Sequence, residues 1–301
     1  MTISELASAT TTQPVVKGRK RVRGMTVTRR LQRGLALLLM SIGGAFYLLP
    51  LFWMATSSLK TNAEVFAYPP KWFPAVPQWG NYVTAFQLMH FLTLLKNSAL
   101  ITSMTMVGAM LSSSMAAYAF ARLRFAGRDI WFMVVLATMM LPGYVTMIPV
   151  YVIFRHLHWI NTLKPLIVPS FLGGGAFNIF LLRQYLMTIP YDLDDAARID
   201  GCSHYRIYWD ILMPLARPAL GAIAIFLFIG HWNDFFGPLI YLHSQENFTL
   251  ALGLYRFRGP YTVEWSYLMA GTLMVASAPL VVFFLFQRYF IEGMVMTGIK
   301  G

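Results

Sequence analysis

Charge is what this chain has least of. Asp, Glu, Lys and Arg make up only 12% of its 301 residues, about half the share of a soluble domain. Hydrophobic residues make up 57% and mean hydropathy is +0.56. Such a chain reads as an integral membrane protein. Cysteine occurs once, at Cys202, which excludes an internal disulfide and gives no sign of a thiol metal site. No Gly-x-x-x-x-Gly-Lys-Ser/Thr phosphate loop occurs anywhere, so if ATP drives this protein, another polypeptide hydrolyses it. Acids are nearly absent from the apolar runs, Asp234 apart, and no paired carboxylates or His–acid clusters lie inside them. That argues against an intramembrane enzyme. His156 and His158 make no zinc site without further ligands, and no metal is assigned.

What is abundant is apolar sequence in runs of membrane-spanning length, about 20 residues each. Six are legible: about 35–57, 92–121, 130–154, 166–187, 219–242 and 266–286. The first is too long for a secretory signal, and no small-residue cleavage site follows it closely. The fold class is therefore all-α, a polytopic membrane protein with six transmembrane helices. The net charge of +12 does not point to nucleic acid, because its placement follows the membrane. Eight of the 24 Lys and Arg lie between Lys17 and Arg33, just ahead of the first run. With both termini inside, the inner face carries 17 of the 24 and the outer face 7, which satisfies the positive-inside rule. Residues 1–34 read as a disordered basic cytoplasmic tail, and residues 35–301 as the six-span domain. The outer segment 60–87 holds Pro69, Pro70, Pro74 and Pro77 with Trp72 and Trp79. It reads as an interfacial loop in which a continuous helix is forbidden.

The polar stretch at about 190–218 is anomalous in so apolar a chain. Asp192 is placed to cap a helix, with Asp195 three residues on. Asp192, Asp194 and Asp195 sit in its first turn, where acids suit the helix dipole. Leu193, Ala196 and Ala197 fall on one face, with the small alanines expected to be exposed. Gly201, after Asp200, is placed to end the helix in a left-handed conformation. Ser203 caps a second helix carrying Tyr205, Tyr208 and Trp209, which Pro214 is expected to terminate. Two readings stand from the residues alone: a hairpin that joins two spans, or a surface gripped by a soluble partner. Cys202 in the turn reads as a small packing residue.

The spacing resembles the loop of permease subunits of ATP-binding-cassette importers, Glu-Ala-Ala, three residues, Gly, nine residues, Ile-x-Leu-Pro. Here it stands as Asp195-Ala196-Ala197, Gly201, Ile211 and Met213-Pro214, with Asp for Glu and Met for Leu as departures. Ser58-Leu59-Lys60-Thr61, Pro69-Pro70, Asn81-Tyr82, Ala116 to Arg122 with Phe125-Ala126-Gly127, Trp232-Asn233-Asp234 and the ending Gly293 to Gly301 are similar to the carbohydrate, maltose-type group. The resemblance implies a coupling helix seated in a cleft of an ATPase subunit. It further implies a second permease as heterodimer partner, an ATPase dimer that holds the ATP and magnesium, an external solute-binding protein, and a bacterial inner membrane. No cofactor is implied for this chain itself.

Within the spans, Trp232, Asn233 and Asp234 are candidates for a solute path, since an acid in a span usually faces protein or a watery cavity. The alternative is that Asp234 lies near the outer end, solvated or paired. Gly237-Pro238 just beyond would break the helix. Gly174, within Gly173-Gly174-Gly175, and Asn178 either shape a cavity or allow tight packing. Gly108, Ser112 and Ala116 form a small-residue seam. A stand-alone secondary transporter or channel is the competing function. It would leave the 190–218 stretch unexplained.

Overall fold

The computed structural model describes residues 27–259 and 263–298, with side chains described for 31–259 and 263–287. Residues 1–26 of the expected tail lie outside these, as do residues 299–301 of the expected ending. The chain divides into two units, residues 1–52 and 53–301. The division falls inside the first helix, α1 (Val27–Ser57), which begins within the last part of the expected tail. The other helices used below are α2 (Gly80–Leu88), α3 (Phe91–Arg122), α4 (Arg128–Thr138), α5 (Gly143–His156) and α6 (Ala176–Thr188). They continue as α7 (Asp192–Ile199), α8 (Arg217–Trp232), α9 (Phe236–Tyr241) and α10 (Trp265–Gly298). No strand forms among the described residues, only an isolated bridge between Arg258 and Val263.

Four stretches are long and apolar enough to cross a membrane unaided: Leu31–Ser57, Phe91–Arg122, Lys164–Thr188 and Trp265–Gln287. Two more pass only as bent pairs, so the structure carries up to six spans. The expected third run is not one straight helix: α4 and α5 meet at 97°. Pro142 stands at the break as the N-cap of α5. A proline lacks an N–H and disfavours helical geometry in the residue before it, so the helix that ends at Thr138 does not run on through the break. The expected fifth run also differs. Helix α8 ends at Trp232, and residues 233–235 separate it from the short α9. At its N-terminal end α8 is bent by 76° from the stretch His204–Leu215.

Helix α3 is the axis of the larger unit, with α6 and α8 packed along it. It contains no proline, and at 1.5 Å per residue its 32 residues reach about 48 Å. The small-residue seam is used as expected. The ring of Phe171 lies where a Cβ on Gly108 would stand, and Ser112 Oγ donates to Ser170 O at 2.8 Å. Gly174 has φ +64, and a Cβ there would overlap the carbonyl of Ala109 and the backbone N of Ser113. Of the two roles open to this glycine, tight packing against α3 is the one it performs. Two apolar cores form at the two ends of α3. One gathers Ala117, Tyr118, Leu186, Ala197, Ile207 and Leu212; the other gathers Ala85, Met89, Leu94, Trp232, Leu250 and Ala270.

Candidate functional site

The polar stretch folds as helix–turn–helix, and its turn follows the hydrogen-bond logic of a left-handed C-cap. Asp200 is the C-cap and Gly201 adopts φ +80. Gly201 N donates to Arg198 O at 3.0 Å and Cys202 N to Ala197 O at 2.9 Å, which satisfies two carbonyls of the last turn. Ser203 Oγ accepts from Arg206 N at 3.4 Å and caps the next short helix.

Three local expectations are corrected. Tyr191, not Asp192, is the N-cap of α7, and no side chain caps it. The inward face is Asp194 and Ala197, both buried, whereas Leu193 and Ala196 point outward. Pro214 does not terminate the second helix. Residues Ile207–Leu212 widen into a π-helix, with Met213 N donating to Tyr208 O, and the helical run passes through Pro214 to Leu215. Proline is tolerated in the first turn of a new segment because its missing N–H has no partner to lose there, and the wide turn supplies that new segment.

The inward face is fixed to the C-terminal end of α3. Asp194 Oδ2 lies 3.1 Å from Arg122 Nη1, with side chains only 3% and 1% exposed. Arg122 Nη2 donates to Leu186 O and Ile189 O, each at 2.8 Å, and so also caps the C-terminus of α6. A cation suits the negative end of that helix dipole. The guanidinium lies 4.3 Å from the Tyr191 ring centroid, and Tyr191 Oη donates to Ala121 O at 2.6 Å. Tyr118 Oη donates to His204 O at 3.1 Å, and Ser114 Oγ lies 2.7 Å from Tyr208 Oη. Burial pushes the Asp194 carboxyl up, while the Arg122 guanidinium pulls it back down. Removing one partner of such a pair leaves a buried charge uncompensated, at a cost of about 3–5 kcal/mol.

The outward face is the opposite in character. Asp195, Ala196, Asp200, Gly201 and Pro214 are exposed, and Ile211 is half-buried against the core that contains Tyr118 and Leu212. Ile199 is 87% exposed and Tyr205 72%, with Leu193 and Trp209 also exposed nearby in sequence. Asp195 makes only a surface pair with Arg198 at 3.6 Å.

The other predicted residues do not gather into one site. Trp232 is buried in the core that contains Met89 and Leu250 and donates through Nε1 to Val275 O at 3.1 Å. Asn233 Nδ2 donates to Ile229 O at 2.9 Å, within its own helix end. Asn178 Nδ2 donates to Gly174 O at 2.6 Å, at the packed seam. Asp234 lies in the break after α8 rather than inside a helix. Its Oδ1 accepts from Phe236 N and Gly237 N at 3.1 Å each and starts α9. Asp234 also lines a cavity of about 220 Å³ with Ser98, His231, Tyr241 and Thr249.

The anchoring contacts of Asp194, Arg122, Tyr191, Tyr118 and Ser114 were not foreseen in the sequence. The one available signal was the spacing of Asp194 and Ala197, three residues apart and hence on the same helix face.

The family of binding-protein-dependent transport system inner membrane components matches residues 108–295, more than half of the chain. The chain belongs to this family. Among relatives of this permease component, the arabinooligosaccharides transport system permease protein AraQ of Bacillus subtilis is 36% identical over 85% of this chain and 91% of its own length. The protein of the same name from Halalkalibacterium halodurans is 39% identical over 68% of this chain and 73% of its own. The diacetylchitobiose uptake system permease protein DasC of Streptomyces coelicolor is 29% identical over 84% and 91%. A solved bacterial importer of the acidic polysaccharide alginate shares the fold, with a TM-score of 0.76 at 24% identity over 89% of this chain and 99% of that one. The fold is thus that of a bacterial transporter permease. Its membrane helices and bacterial relatives mark it as an inner-membrane protein.

Proposed function

We propose that this chain is one permease subunit of an ATP-driven importer for a sugar or sugar-like solute, and that residues 190–218 couple it to a separate ATPase. The observation that carries this reading is the two-sidedness of the loop. One face is held to α3 by a buried ion pair, while the other exposes Ile199, Tyr205 and Trp209 in an otherwise polar segment. Exposed apolar surface rimmed by charge marks a contact for another protein. With no phosphate loop of its own, the chain draws its energy from an ATPase dimer, which holds the ATP and magnesium. The family's dependence on a binding protein supports an external solute-binding partner. A second permease completes the membrane pathway as a heterodimer, and both termini face the cytoplasm.

The solute class rests on relatives whose names specify arabinooligosaccharides and diacetylchitobiose. The chain's own residues agree. Among the described residues, the buried basic side chains are Lys60 and Arg122. The first lies beyond α1 and the second ends α3, so neither offers mid-membrane positive charge to a phosphate ester. Asp234 with His231 and Ser98 gives the outer cavity acceptors and donors for hydroxyl groups.

Reconstitution in proteoliposomes tests the proposal. Uptake of labelled oligosaccharide is expected only with ATP, the ATPase and the binding protein present, and to disappear on loss of any one. Uptake by the chain alone without ATP would overturn it in favour of a stand-alone transporter.

A further inference from the structure

Helix α3 is held at both ends by contacts with partners remote in sequence. At its inner end, Ser114, Tyr118, Ala121 and Arg122 hold the loop through the contacts above, and Arg122 alone reaches α7, the end of α6 and the Tyr191 ring together. At its outer end, Asn97 Nδ2 donates to Glu246 O at 2.7 Å and Phe248 O at 3.0 Å, and Ser98 Oγ accepts from Leu250 N at 2.8 Å. Ser98 also lines the cavity that contains Asp234. A helix of about 48 Å exceeds the bilayer's hydrocarbon core of about 30 Å, so these two ends belong to opposite faces of the membrane.

We propose that Arg122 is a positioning residue that makes the loop and α3 move as one lever, so that displacement of the loop reaches the outer cavity through α3. The loop joins α6 to α8 in sequence, yet the charged anchor is on neither. Arg122 holds Asp194 by charge and the end of α6 by two carbonyls, so α7 does not slide along α3 without opening a buried ion pair. A packed contact with this cost is bistable rather than continuously deformable, as transmission of a discrete movement requires. This inference rests on the coupling role given to residues 190–218.

The test uses the whole importer in lipid, with Cys202→Ala as background. Spin labels are placed by cysteine substitution at Asp192 in the loop, Leu92 at the outer start of α3 and Leu280 on α10, and pairwise distances are measured with and without ATP. The expected result is a changed 192–280 distance and an unchanged 192–92 distance. In Asp194→Asn the 192–92 distance is expected to broaden with ATP, and solute moved per ATP, normalised to assembled complex, to fall about tenfold. Arg122→Lys, which keeps the charge but loses the forked reach to two carbonyls, is expected to fall between the two. A purely structural role would lower the amount of complex and leave solute per ATP unchanged, and that result overturns the proposal. A 192–92 distance that changes as much as 192–280 in the unmutated pair also overturns it, with the coupling role intact. Distances that are all indifferent to ATP remove the coupling role itself, and the lever with it.

Discussion

Gly201 shows how much one backbone angle decides. Its φ of +80 is left-handed, and no atom stands within 4 Å of where a Cβ would be. A substitution there meets open space, so its cost is backbone strain alone. Gly201→Val is expected to lose about 1–2 kcal/mol, enough to deplete the capped turn roughly five- to thirty-fold. Gly201→Asn, which tolerates this region, is expected to retain most transport. Solute-stimulated ATPase activity separates them, and normal stimulation in the valine variant would deny the turn its role. Lys60 makes the complementary point. The sequence offers it as an ordinary outer lysine, yet it is fully buried, donating to Lys71 O at 2.6 Å and lying 4.1 Å from the Trp53 ring centroid. Burial pushes its pKa down and Glu64 offsets part of that.

Among elements, the connections at residues 157–163 and 242–249 are held together by a side-chain hub rather than by regular structure. Asn161, at φ +60, accepts through Oδ1 from His243 N at 2.9 Å and Ser244 N at 2.8 Å. It donates through Nδ2 to Ser244 Oγ at 2.7 Å, and its carbonyl accepts from Asn247 Nδ2 at 2.8 Å. Each such bond contributes about 0.5–1.5 kcal/mol. Asn161→Ala removes the side-chain bonds and strains the backbone. Faster hydrogen exchange is expected at residues 241–249, beside the Asp234 cavity, with exchange in the middle of α3 unchanged. Equal rates in both proteins would deny the hub its role. The bends belong to this scale too. Pro142 was visible in the sequence, but hydropathy averages over 20 residues and is blind to a break of four, so the run read as one straight span.

For the whole molecule, orientation is the statement most open to a direct check. Cys202 is the lone thiol, half-buried in the loop that the charge distribution places inside. A membrane-impermeant maleimide added to intact spheroplasts is expected to leave it unlabelled and to react after permeabilisation. A cysteine introduced at Leu157 in a Cys202→Ala background is expected to label without permeabilisation. The reverse pattern would invert the topology and rule out the ATPase contact proposed for residues 190–218.

What the sequence determined by itself was the class of object: a helical membrane protein, its apolar runs, and a polar loop with a glycine turn between two of them. These follow from local quantities, since apolar length decides whether a segment enters the bilayer and a left-handed cap needs its glycine in place. What only the tertiary structure decided was which groups meet. Arg122 finds Asp194, Gly174 packs on Ala109, and Asp234 starts α9 rather than standing inside a span. Hydropathy weighs a charged residue by its own transfer cost and is silent about a partner brought up from a distant helix. Yet that partner sets whether a buried charge is a liability or an anchor.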